Sequence, residues 1–117
     1  MRFLCVFRGP EGGGPPSEAE MQAMGVFIGE MASAGVLLAT EGCLSSAHGA
    51  RVRLAGDKFT VTDGPFTETK EVIGGFALME TPSMKEALEW SKRFLKMGGD
   101  SEIEIRELHP TPAFVKS

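Results

Sequence analysis

Residues 62–75 read TDGPFTETKEVIGG, and their choices are too particular for a plain connection between two apolar strands. Asp63 bonds its own following backbone, Gly64 permits positive φ, and Pro65 fixes φ while removing a donor, so a strand must stop here. Thr67–Glu71 then places two hydroxyls, two carboxylates and a lysine within five residues. Gly74-Gly75 lets the backbone bend closely back into a second strand. That strand, GFALME over Gly75–Glu80, is apolar on both alternate faces, as a central strand covered on both sides would be.

Downstream, Thr81-Pro82 closes the strand and Ser83-Met84-Lys85-Glu86 forms a capping box. The spacing predicts a helix over Met84–Met97 with Met84, Ala87, Leu88, Ser91 and Leu95 as its inner stripe, ended by Gly98-Gly99. Glu102–Leu108, EIEIREL, alternates with Ile103 and Ile105 inward and suits an edge strand. The tail HPTPAFVKS leaves Phe114 and Val115 available to a partner chain.

Upstream, Ala50–Leu54 and Phe59–Thr62 flank Ala55-Gly56-Asp57-Lys58, a hairpin with its turn at Gly-Asp. Arg51 and Arg53 share one face of that hairpin, either solvated or lining a polar groove, and Val52 and Leu54 share the other. Leu44–Gly49, LSSAHG, is a loop carrying His48. Before it, VLLAT at Val36–Thr40 is a short strand with Glu41 at its end.

A second capping box, Ser17-Glu18-Ala19-Glu20, starts a helix running to Ala34, with Met21, Met24, Phe27 or Ile28, and Met31 facing the core. Gly35 is placed for a left-handed cap. Gly25 and Gly29 are expected to permit close packing on a sheet, at about 1 kcal/mol each relative to Ala. GPEGGGPP at 9–16 is a loop, and RFLCVF at Arg2–Phe7 is a second strand apolar on both faces.

The order is strand, helix, strand, hairpin, strand, helix, strand, which predicts an α+β chain: a ferredoxin-like split βαβ with an inserted hairpin. The two strands apolar on both faces are the two this plan places centrally. Two helices cover one face of the sheet only, so a second copy is expected on the other, giving a homodimer.

At 117 residues, 42% hydrophobic and 24% charged, the chain is expected to form a single domain over 1–117. A net charge of −4 with scattered lysines and arginines argues against nucleic acid as a partner. No window approaches the ~20 apolar residues needed to span a bilayer, and the N-terminus is too soon interrupted for a signal peptide, so a cytoplasmic setting is expected. Cys5, Cys43, His48 and His109 lack metal or redox spacing, so no metal and no cofactor are expected, and the thiols are read as reduced and non-catalytic.

EGCL at Glu41–Leu44, VTDGPFTETKEVIGGF at Val61–Phe76 and EALEW at Glu86–Trp90 together resemble the DGPF-type proteins of the YCII-related family. The resemblance implies a dimeric α+β barrel of ferredoxin-like subunits in a bacterial cytoplasm. The dyad proposed for the family pairs a His on the first helix with an Asp near the second strand, and relatives on the wider fold isomerise or dehalogenate lactones. This chain has no His between Ser17 and Gly35, so the dyad does not carry over.

Acid-base chemistry, if present, would fall to Asp63, Glu41 and Glu68, with His48 a weaker candidate. Lys70, Glu71, Arg51 and Arg53 are the candidates for holding a ligand. Against this stands a purely structural reading, in which Asp63 serves its own turn, Thr67 and Thr69 bond local backbone, and Glu68 and Lys70 are a solvated pair.

Two functions follow. One is a small-molecule enzyme or binder with a pocket beside the Asp63–Glu71 loop. The other is a non-enzymatic regulatory or interaction protein, suggested by the group's gene neighbourhood with extracytoplasmic-function sigma factors. A cavity with converging carboxylates would favour the first, and a flat surface exposing Phe114 or Val115 the second.

Overall fold

The structure is a computed structural model and describes residues 1–11, 16–67, 71–98 and 101–110. Glu68, Lys70, Phe114 and Val115 lie outside the described residues. The elements are β1 (Arg2–Gly9), α1 (Glu18–Ser33), β2 (Leu37–Gly42), a 3-10 turn (Ser46–His48), β3 (Ala50–Ala55), β4 (Lys58–Asp63), β5 (Val72–Glu80), α2 (Met84–Gly98) and β6 (Glu102–Glu107).

One sheet runs β2-β5-β1-β6 with antiparallel pairing throughout, and β3-β4 forms a separate two-stranded ribbon. The order is that of a ferredoxin-like fold, with the two strands apolar on both faces at its centre. Phe3 and Cys5 of β1 and Met79 of β5 pack with Phe27 and Met31 of α1 and Ala87 of α2. Alternation along the strands therefore turns Leu4, Val6, Phe76 and Leu78 to the helix-free face, where Leu4 lies opposite Leu78 and Val6 opposite Phe76.

The helix ends follow their sequence signals. Ser17 Oγ accepts from the Glu20 amide (3.1 Å) while the Glu20 carboxylate accepts from the Ser17 amide (3.3 Å). Gly35 takes φ +72, which a side chain would resist. Ser83 Oγ accepts from the Glu86 amide (3.3 Å) at the start of α2.

Three expectations are corrected. Met21, expected to face the core from the first turn of α1, is exposed. Gly25 and Gly29 do not serve close packing, because a Cβ on either would meet open space on the outward side of α1. The inner stripe of α2 is rotated from the expected one: Ala87 and Ser91 are buried, Trp90, Phe94 and Met97 pack against the core, and Met84 and Leu88 are exposed. Both stripes have helical spacing, and the aromatic one buries more area.

The DGPF segment closes the base of the hairpin onto the 3-10 turn. Buried Ser46 donates both its amide and its hydroxyl (2.6 Å for the latter) to the Glu11 carboxylate, and its Oγ accepts the Phe66 amide (3.1 Å). The Gly64 amide donates to the Gly49 carbonyl (2.9 Å). A Cβ on Gly64 would overlap the Ser46 carbonyl, so glycine is required there by close approach of two backbones.

Arg51 lays its guanidinium 3.8 Å from the centre of the Phe66 ring. The Glu11 carboxyl is held below its ordinary value, first by the Ser46 hydroxyl and then by the Ser46 amide. Its contribution to stability is therefore present above the ordinary pKa and is lost as pH falls through the lowered one.

Alanine substitutions at two glycines should move stability in opposite directions in urea unfolding. Gly64→Ala must displace backbone and should cost roughly 3 kcal/mol. Gly25→Ala meets open space in a helix interior and should gain about 0.5–1 kcal/mol. A loss at Gly25 would mean that something packs on that face of α1.

Candidate functional site

The candidate site is a cavity of about 460 Å³ between the two helices and the sheet, within the range of small-molecule pockets. Its lining is built mainly from apolar side chains. Phe7 reaches up from β1 and meets Phe94 of α2 edge-on, with ring centres 5.5 Å apart. Phe27 of α1 stands 5.9 Å from Trp90 and 6.5 Å from Phe94. Met24 and Met31 of α1 and Met79 of β5 complete the apolar wall. Met24 and Met31 of α1 thus serve the core and the cavity together, as an unbranched, polarizable side chain readily does.

Glycines shape the end of the cavity between β2 and β5. Phe7 pairs with Gly75 and Arg8 with Ile73, so Gly74 is the extra residue of a β-bulge. A Cβ on Gly74 would stand 2.7 Å from the Phe7 ring, and one on Gly75 would stand 2.6 Å from the Glu41 carbonyl oxygen. The pair is needed for Phe7 to lie across β5 and for β2 to approach it, which is the close bend expected of Gly74-Gly75.

Polar groups are few. Cys5, Thr40, Glu41 and Ser91 supply them among the described lining residues. Thr40 Oγ1 donates to the Phe76 carbonyl (3.0 Å), and Ser91 Oγ donates to the Ala87 carbonyl (2.9 Å). Burial pushes the Cys5 thiol up to about 11, with a hydrogen bond to Ser91 acting in the opposite direction. At neutral pH Cys5 is a protonated thiol and a poor nucleophile. Arg93 on α2 bonds Glu30 on α1 at 2.6 Å and lies 5.0 Å from the Phe27 ring centre and 4.9 Å from that of Trp90, joining the two helices beside the cavity.

Of the residues singled out in the sequence, Glu41 borders this cavity, at the end of β2 opposite Phe76. Alternation with Thr40 turns its side chain toward the helix-free face. Asp63 is the exposed last residue of β4, paired with Ala50. His48 is exposed in the 3-10 turn, Arg53 is exposed opposite Thr60, and Glu71 is exposed just before β5. Arg51 stacks on Phe66. Among the described residues, none of Asp63, His48, Arg51, Arg53 and Glu71 lines the cavity. Sequence reasoning placed Phe27 toward the core but missed the α2 side of the aromatic wall; the signal was present in Trp90 and Phe94, four residues apart on one helix.

Comparison with known proteins bears on the fold and the family. No curated protein matches the chain. Among solved structures, 5-chloro-2-hydroxyhydroquinone dehydrochlorinase from Burkholderia phenoliruptrix AC1100, in complex with 2,5-dihydroxybenzoquinone, is similar at a TM-score of 0.50. It shares 18% identity over 93% of this chain and 95% of that one, a likeness of fold. The model of the YCII-related domain matches residues 1–109, which include every strand and helix described above, and the chain belongs to the YCII-related family.

Proposed function

We propose that the protein is a small-molecule enzyme or binder whose ligand, a planar and mainly apolar molecule, occupies the cavity between the helices and the sheet. The observation that carries this reading is the wall formed by Phe7, Phe27, Trp90 and Phe94 around about 460 Å³. Aromatic rings stack with flat ligands, and few polar groups would have to be satisfied or desolvated. The similar fold of a dehydrochlorinase holding a dihydroxybenzoquinone is compatible with such a ligand. Glu41 borders the site through its backbone and turns its carboxylate to the helix-free face, so this reading rests on binding in the cavity and not on proton transfer by Glu41. The regulatory alternative, tied to sigma-factor systems, is less favoured because a regulator needs no aromatic cavity.

The same reading has the protein working as a homodimer in the cytoplasm, with two helix-free faces meeting as a dimeric α+β barrel. Leu4, Val6, Phe76 and Leu78 would form the centre of that contact. Among the described residues no helix is long and apolar enough to cross a membrane.

Trp90 is the one tryptophan in a chain without tyrosine, so its emission reports on the cavity directly. Titration with 2-naphthol or a hydroxyquinone should change that emission saturably, and Ala77→Leu, which fills the cavity from β5, should abolish the change while the fold survives. An unsaturable or absent response across substituted phenols and quinones would count against the site. Light scattering at micromolar concentration should give twice the 12.5 kDa chain mass. Leu78→Lys should shift the protein to monomer, and a monomeric parent would overturn the dimer.

A further inference from the structure

The β3–β4 hairpin stands apart from the rest of the chain. Its strands pair with each other, Gly56 takes φ +64 at the turn, and neither strand makes substantial contact with another element. The radius of gyration, 16.4 Å, exceeds the roughly 13 Å of a compact chain of this length. One face of the hairpin consists of Val52 opposite Val61 and Leu54 opposite Phe59. These four side chains are 70%, 63%, 58% and 72% exposed, respectively. A two-stranded hairpin is marginal in water unless something packs on it. Its base is nonetheless held firmly by the bonds joining Gly64 to Gly49 and Phe66 to Ser46.

We propose that this hairpin is an arm whose apolar face packs against a second copy of the chain, an inference that rests on the dimer reading above. Area favours that occupant. Four strands of six to nine residues present roughly 450 Å² of projected sheet, against the ~800 Å² of accessible surface that a stable interface buries per partner. The hairpin face adds roughly half as much again.

A two-fold axis makes the contact reciprocal, so each copy both extends its arm and receives one. Arg51, Arg53 and Lys58 alternate onto the opposite face of the hairpin, which leaves the contact face apolar from Val52 and Val61 to Leu54 and Phe59, with Asp63 at its base.

The test pairs Leu54→Glu/Phe59→Glu with Leu78→Lys in sedimentation equilibrium, alongside hydrogen exchange of the hairpin amides in the parent at rising concentration. Both hairpin positions are exposed within one chain, so the double variant should keep its circular dichroism spectrum. The proposal expects its dimer dissociation constant to rise at least about tenfold and the parent's hairpin amides to become protected as the dimer forms. If the parent dimerises and Leu78→Lys disrupts it, but the hairpin variant dimerises like the parent and the hairpin amides stay unprotected, the arm is overturned while the sheet interface stands. A parent that is monomeric throughout overturns both.

Discussion

The antiparallel ladder between β1 and β5 is the constraint on which the rest depends. It sets two strands apolar on both faces side by side, from Arg2 opposite Glu80 to Gly9 opposite Val72. One side is covered by α1 and α2 around Phe3, Cys5 and Met79. Among the described residues no helix covers the other, and that asymmetry is the physical basis for expecting a partner. The helices also do not fill the covered side completely, leaving about 460 Å³ between them and the sheet. A cavity walled by aromatic rings is the consequence.

Within the motif that dominates the sequence, Gly64 and Phe66 have a structural explanation. Gly64 approaches the Ser46 carbonyl, the Phe66 amide is bound by Ser46 Oγ, and the Phe66 ring carries Arg51. Ser46 in turn is held by Glu11, so the segments after β1, after β2 and after β4 meet at one hydroxyl. Such a buried, fully used hydroxyl makes the junction specific, since losing one partner leaves another polar group unsatisfied. Asp63, at the edge of this junction, is exposed and does not line the cavity.

Much of the fold was legible because local signals and global pattern agree. The capping box at Ser17, the Ser83 hydroxyl on the Glu86 amide, Gly35 at the end of α1, the Gly56-Asp57 turn and the alternation of Ile103 and Ile105 each act within a few residues. The central strands were legible from apolarity on both faces. The site was less so. Two stripes on α2 have the same period, and choosing the one with Trp90 and Phe94 requires knowing which way the helix faces. The Glu11–Ser46 contact spans 35 residues, a separation no local pattern encodes. Gly25 and Gly29 misled because glycine spacing alone does not say whether a neighbour is present.

The central claim is that ligand binding belongs to the aromatic cavity and that the Gly64–Phe66 segment is structural. One spectrum tests it: a sample carrying ¹³C-methyl methionine and ¹⁵N amides, titrated with 2-naphthol. The account predicts shifts at the methyls of Met24, Met31 and Met79, which line the cavity, with the Gly64 and Phe66 amides unmoved. Shifts at those amides with the three methyls unmoved would contradict it.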